Sequence, residues 1–315
     1  TRYIILLIFS TASVLPNSNR FVWLSGHSSV LRLVNLGEPV QIDQTRSGSE
    51  NQYWLFTRSN PSTPQILVHG NANSVINSNY AANRQTKVLV HGWNGDGNHG
   101  MNRDISAAYF ARGDFNIIVV DWNRVANQNY VSAVAGVPNV GEGVGNFLIW
   151  LFNTAGGNWN DLHLIGFSLG AHVIGNAGRA AGGRPARITG LDPAGPLWTI
   201  NRNALTSTDG VYVESIHTDG GLQGIFTPIS DADFYPNGGR NPQPGCSNSA
   251  CSHSRAIQFF ASSVRTDHFV GRQCNDINQA QNNVCRGSHF NMGNYIVNKR
   301  GRGLFGLTTG SSWPF

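Results

Sequence analysis

The chain has 315 residues, enough for one large α/β domain or two small ones, and its 37 glycines and 12% charged residues fit a loop-rich fold rather than a helical bundle. A net charge of +5 and a pI near 9.2 arise without any run of basic residues. That excludes a nucleic-acid patch and leaves anionic lipid surfaces as the partner such a charge favours. Lys87 and Lys299 are the only lysines among the 22 basic residues. Arginine keeps its charge beyond pH ~12, whereas lysine titrates near ~10.4, so this choice is expected of a protein working in alkaline fluid.

In chain order, Arg2, the apolar run 3–9 and Ser10-Thr-Ala-Ser13 read as a secretory signal peptide, and residues 1–19 are assigned to it. The run is too short for a spanning helix, which needs about 20 apolar residues. Residues 20–315 are read as one domain. Apolar strands are predicted at 86–91, 115–121, 162–167, 186–191 and 211–216, with helices at 102–112, 130–154, 169–181 and 253–264. Continuous Val/Ile/Leu runs suit strands buried on both faces, so the expected fold is α/β, with a mostly parallel central sheet and helices on both sides. Cys246, Cys251, Cys274 and Cys285 allow three pairings, of which the sequential one, Cys246–Cys251 and Cys274–Cys285, is the simplest. No ligand-like His spacing accompanies them, so disulfides and an oxidising compartment are expected, with no metal and no cofactor.

Gly166-Phe-Ser-Leu-Gly170 matches G-x-S-x-G between a predicted strand and a predicted helix. That context holds a serine on a strained turn with its hydroxyl exposed, and it makes Ser168 the candidate nucleophile. The acid should follow a later strand, which points to Asp192 in Gly190-Leu-Asp-Pro-Ala-Gly195; Asp209, Asp219 and Asp231 are its rivals in loops. His253, beside Cys251 and just ahead of a helical pattern, is the candidate base, with His91, His172 and His217 as alternatives. The backbone N–H groups of Trp93, in His91-Gly-Trp93, and Leu169 are assigned to the oxyanion hole.

These segments resemble the pancreatic-lipase family, particularly its insect neutral lipases and wasp-venom phospholipase A1 members. The likeness runs through Tyr53–Pro61, Val90–Trp93, Val120–Trp122, Gly166–Ala171, Gly190–Gly195, Ile216–Asp219, Asp233–Gly239, Cys251–Arg255, Met292-Gly293 and Leu307–Gly310. It implies an α/β-hydrolase fold with Ser168, Asp192 and His253 as triad. Phe167 replaces the usual His before the nucleophile. The family's calcium-binding acids are mostly missing around 201–209, and its β-sandwich domain is absent, so neither a metal nor a colipase-type partner is expected. Monomer is the default.

Family lipases carry a long covering loop between the two cysteines that precede the histidine. Here Cys246 and Cys251 enclose four residues, and the loop from Thr218 to Asp233 is also short. The resemblance therefore implies an open groove, without strong interfacial activation, that admits polar head groups: phospholipase A1 or galactolipase activity on lipid at a membrane, micelle or droplet surface. Leu197, Trp198 and Phe226 are expected along the acyl groove. The alternatives are a triacylglycerol lipase of digestive fluid and a non-catalytic lipid-binding protein of the yolk type.

Overall fold

A computed structural model describes residues 20–26, 30–41 and 50–315; the signal peptide assigned to 1–19 lies outside the described residues. Among the described residues the strands are β1 (Phe21–Ser25), β2 (Leu31–Asn35), β3 (Gln52–Phe56), β4 (Gln65–Leu67), β5 (Thr86–Val90), β6 (Asn116–Asp121), β7 (Leu162–Phe167), β8 (Arg187–Leu191), β9 (Val213–Ile216), β10 (Ala232–Pro236), β11 (Val270–Cys274), β12 (His289–Asn291) and β13 (Gly303–Leu307). The helices are α1 (Ala72–Ile76), α2 (Gly100–Phe110), α3 (Asn123–Ala126), α4 (Tyr130–Ala155), α5 (Leu169–Ala180), α6 (Ser249–Thr266) and α7 (Ile277–Gln281).

All strands but β1 and β2 form one sheet in the order β12-β11-β13-β10-β9-β8-β7-β5-β6-β3-β4. Its centre, from β6 across to β13, is parallel, and the flanking strands run antiparallel. The central strands are buried along their whole length, as their continuous apolar runs require. Alternate residues feed opposite cores: Ile118 and Val120 pack with α4 and α5, while Ile117 and Val119 pack with α2 and α6. The expected α/β-hydrolase architecture is thus present.

Two predicted boundaries shift. The strand expected at 211–216 pairs only over Val213–Ile216. The last long helix begins at Ser249 rather than His253, because the Asn248 side chain accepts from the Cys251 N–H and caps it there. His253 therefore sits inside that helix, not ahead of it. Both sequential disulfides are formed, Cys246–Cys251 and Cys274–Cys285.

Both lysines are interior. Lys87 and Lys299 are 0% and 5% exposed, so the cationic surface is arginine throughout. Glu214 binds Arg187 and Lys299, the latter at 2.6 Å, under the sheet. Burial first, and the neighbouring Arg187 charge, hold Lys87 well below its ordinary pKa; burial, partly offset by Glu214, lowers Lys299 to about 8.

Candidate active site

Ser168 stands between the end of β7 and the start of α5 with φ 55° and ψ −121°, a strained conformation for a residue with a side chain. The flanking glycines make that turn possible. A Cβ at Gly166 would lie 2.2 Å from the Gly170 carbonyl oxygen, and one at Gly170 would lie 2.3 Å from that of Val90. Leu169 opens α5, so its N–H is among those a helix leaves without an internal partner. Trp93 is held beside it by a turn in which the Asn94 N–H donates to Ala126 at 2.9 Å and the Gly95 N–H donates to Gly92 at 3.2 Å. Gly92 packs closely on Ser168 and Phe167: a Cβ there would lie 3.0 Å from Ser168 Cβ and 3.2 Å from the Phe167 carbonyl oxygen.

Asp192 follows β8, also at positive φ, and is fully buried. Its Oδ2 accepts from His253 Nδ1 at 2.6 Å. Its Oδ1 accepts from the N–H groups of Thr218 and Asp219 at 2.8 and 3.1 Å. The carboxylate is thereby fixed on three sides. The Phe167 ring lies 4.5 Å from the His253 ring and braces it from the side. Ser168 and His253 line one small cavity together with Leu24, Ser25, Trp93, Tyr130, Ala194 and Gln223.

The rival acids and histidines are placed elsewhere or otherwise engaged. Asp209 pairs with Arg179 at 2.7 Å, and Asp231 accepts from the Val213 N–H. His217 binds Asp233 through Nε2 and the Ile225 carbonyl through Nδ1, both at 2.8 Å. Burial opposes charge on that ring, yet Asp233 and the carbonyl raise its pKa. His172 donates to the Ala194 carbonyl, accepts from the Leu205 N–H and stacks on Trp198; burial drops its pKa to about 3. His91 is held against Gly92 and Asp121.

Asp219 is the exception among the rivals, for a carboxylate oxygen of Asp219, one of Asp192 and a ring nitrogen of His253 all lie within 4.8 Å of one another. The 2.6 Å bond already occupies the histidine's Nδ1, and the Asp219 carboxylate stands behind the pair as a second acid. Burial and then the Asp192 charge push the Asp219 carboxyl up to about 6. Its Oδ2 accepts from Ser249 Oγ at 2.6 Å and from the Gln223 N–H at 3.0 Å. Asp219 stands in the Ile216–Asp219 motif, so its position was available from the sequence; Gln223 and Tyr130 carried no signal.

The open groove expected from the short loops is not what the structure has. The cavity at Ser168 measures about 10 Å³, room for roughly one water. The two loops are short as expected, but the β1–β2 hairpin takes their place, putting Leu24 and Ser25 over the serine. Trp198, expected along the groove, is buried against His172 instead, and neither Leu197 nor Phe226 lines the cavity. A cleft of about 570 Å³ lined by Phe56, Phe110 and Val119 does not include Ser168.

A sequence profile of the family described as Lipase matches residues 25–315. The chain is 33% identical over 300 residues to pancreatic lipase-related protein 2 of Bos taurus, covering 84% of this chain and 64% of that one. It is 32% identical over 262 residues to pancreatic triacylglycerol lipase of Mus musculus (74% and 56%). With phospholipase A1 member A of Rattus norvegicus it shares 37% over 225 residues (68% and 48%). The chain thus spans about half to two thirds of the length of these relatives.

Proposed function

Since the chain belongs to the lipase family, we propose that it is a secreted serine carboxylic-ester hydrolase that cleaves acyl esters of glycerolipids, with Ser168, His253 and Asp192 as its triad. The observation that carries the reading is the buried bond from His253 to Asp192 beside a serine held at positive φ. His253 takes the hydroxyl proton as Ser168 Oγ attacks the ester carbonyl. Asp192 fixes the Nδ1–H tautomer and stabilises the imidazolium that forms. The N–H groups of Trp93 and Leu169 receive the oxyanion, at about 3–4 kcal/mol per donor. His253 then protonates the departing alcohol, and water with the same base releases the acid.

Polar glycerolipids are the proposed substrates, with phospholipase A1-type cleavage. This is supported by the 37% identity to phospholipase A1 member A; the loop between Cys246 and Cys251 is too short to cover the site itself, although the β1–β2 ribbon does. The likeness to a pancreatic triacylglycerol lipase favours triglyceride as the second reading. Two disulfides fit an extracellular site of action, and a surface without lysine fits an alkaline one. Phosphatidylcholine labelled differently at sn-1 and sn-2, offered beside triolein, tests the substrate. Release of the sn-1 acid, lost in Ser168→Ala, is expected. Turnover of triolein alone would replace the phospholipid reading with the second one.

A further inference from the structure

The hairpin over Ser168 has two apolar faces. In its antiparallel register Phe21 pairs with Asn35, Val22 with Val34, Trp23 with Leu33, Leu24 with Arg32 and Ser25 with Leu31. Side chains alternate across such a ribbon. One face buries Leu24 and Val34, with Val22 packed beside them, in the core shared by α4 and α5. The other carries Phe21, Trp23 and Leu33, which remain 46%, 60% and 55% exposed. Trp23 and Leu33 are direct cross-strand partners, so they form one patch, and Leu222 (54% exposed) adjoins it across a shared cleft. An antiparallel ribbon packed on one side ordinarily turns polar residues outward. This one does the reverse, immediately above the serine.

The ribbon is held down by the buried Leu24 and Val34, with Val22 packed beside them, and by one polar anchor. The Ser25 N–H and hydroxyl both donate to Gln223 Oε1, at 2.6 and 2.9 Å, and Gln223 Nε2 donates in turn to Ser249 Oγ at 3.0 Å. With the ribbon in place the cavity at Ser168 is about 10 Å³. Arg20, exposed next to Phe21, is the cation nearest the apolar patch and complements an anionic headgroup layer; Arg32, opposite Leu24, lies on the other face, and Glu38 follows the ribbon.

We infer that the paired strands β1 and β2 are a lipid-docking cover, which inserts Phe21, Trp23 and Leu33 into a phospholipid surface and in doing so draws Leu24 and Ser25 off Ser168. The inference rests on Ser168 being the nucleophile. It moves the covering role from the trimmed disulfide loop to a ribbon about two hundred residues earlier in the sequence, which reaches Ser249 through Gln223.

Two measurements on the full chain separate the possibilities. First, Ser168→Ala protein is floated with vesicles of phosphatidylcholine and phosphatidylglycerol, alone and with Trp23→Glu and Leu33→Glu. The two glutamates should weaken binding at least tenfold, and since both sites are exposed the fold should persist. Undiminished binding overturns the docking surface. So does loss of self-association in place of loss of binding, which would make a second copy the partner. Second, a water-soluble p-nitrophenyl butylphosphonate is used to form an Oγ–P bond at Ser168 with departure of p-nitrophenolate. Its rate should rise at least tenfold on adding vesicles, and should already be high without them in Gln223→Ala. Equal rates with and without vesicles, or a Gln223→Ala rate as low as the parent's, overturn the cover. No release of nitrophenolate under any condition, with vesicle binding intact, would instead remove the nucleophile assignment.

Discussion

His253 Nδ1 lies 2.6 Å from Asp192 Oδ2 across 61 residues of sequence, and both groups are sealed from water. Low local polarity strengthens such a bond and makes the loss of either partner expensive. The helix cap at Asn248 fixes the histidine, and the Thr218 and Asp219 amides fix the acid.

Replacing Asp192 by Asn should leave the fold in place and lower kcat by roughly 10⁴, because the imidazole then favours the wrong tautomer. Ser168→Ala should lower it by about 10⁶. Steady-state turnover of a short-chain ester in mixed micelles, with circular dichroism as the control for folding, checks both. A loss of under tenfold for Asp192→Asn would hand the role to the neighbouring Asp219.

Gly170→Ala tests the elbow. The new methyl would sit 2.3 Å from the Val90 carbonyl oxygen, backbone that cannot turn aside. A destabilisation of about 1–3 kcal/mol is expected, accompanied by loss of activity. Urea denaturation measures the first, and a variant of unchanged stability would mean that β5 and α5 are not so closely packed.

The parallel sheet was legible because strands buried on both faces write themselves as unbroken apolar runs, and the elbow because its glycines have a steric duty at fixed spacing. Ser168 and Asp192 could be picked out because each falls just beyond a recognisable strand, and His253 because it lies next to Cys251 at the start of a helical pattern. The shift of α6 was not foreseen because Cys246–Cys251 read as a loop staple, although Cys251 lies within the helix. The cover was missed for a different reason. Loop lengths near the histidine carry no information about a hairpin two hundred residues earlier, and the alternation in Phe21–Ser25 and Leu31–Asn35 does not say what the ribbon lies on.

Stability should climb with pH in the alkaline range. The folded pKa of Lys299 is about 8, below the ordinary value near ~10.4, and Lys87 is lowered further. Between the two values the unfolded chain binds protons that the folded chain does not, so stability rises as pH rises. Buried Tyr53, Tyr109, Tyr130, Tyr212 and Tyr235 are raised above their usual pKa and act oppositely beyond pH ~10, where only the unfolded chain ionises. His217, raised by Asp233, also loses stabilising charge as pH passes its folded pKa. The urea midpoint should therefore increase from about pH 8.5 to 10 and decline by pH 11, with a shallower climb in Lys299→Met. A midpoint that falls steadily from neutrality would refute this balance.

Glu214→Gln should be among the most damaging single changes far from the site. It leaves Arg187 and Lys299 buried without their counter-charge, a situation that costs about 3–5 kcal/mol. Thermal unfolding of the variant checks the magnitude. A change below about 1 kcal/mol would show that the two cations find other partners.

The central claim, that Ser168 is the attacking group, is tested most directly by trapping it. Protein treated with a p-nitrophenyl alkylphosphonate in mixed micelles, then digested and mapped by mass spectrometry, should carry a single adduct on Ser168, formed far more slowly in His253→Ala. An adduct on another residue, or ester turnover that continues while Ser168 stays unmodified, would contradict the account.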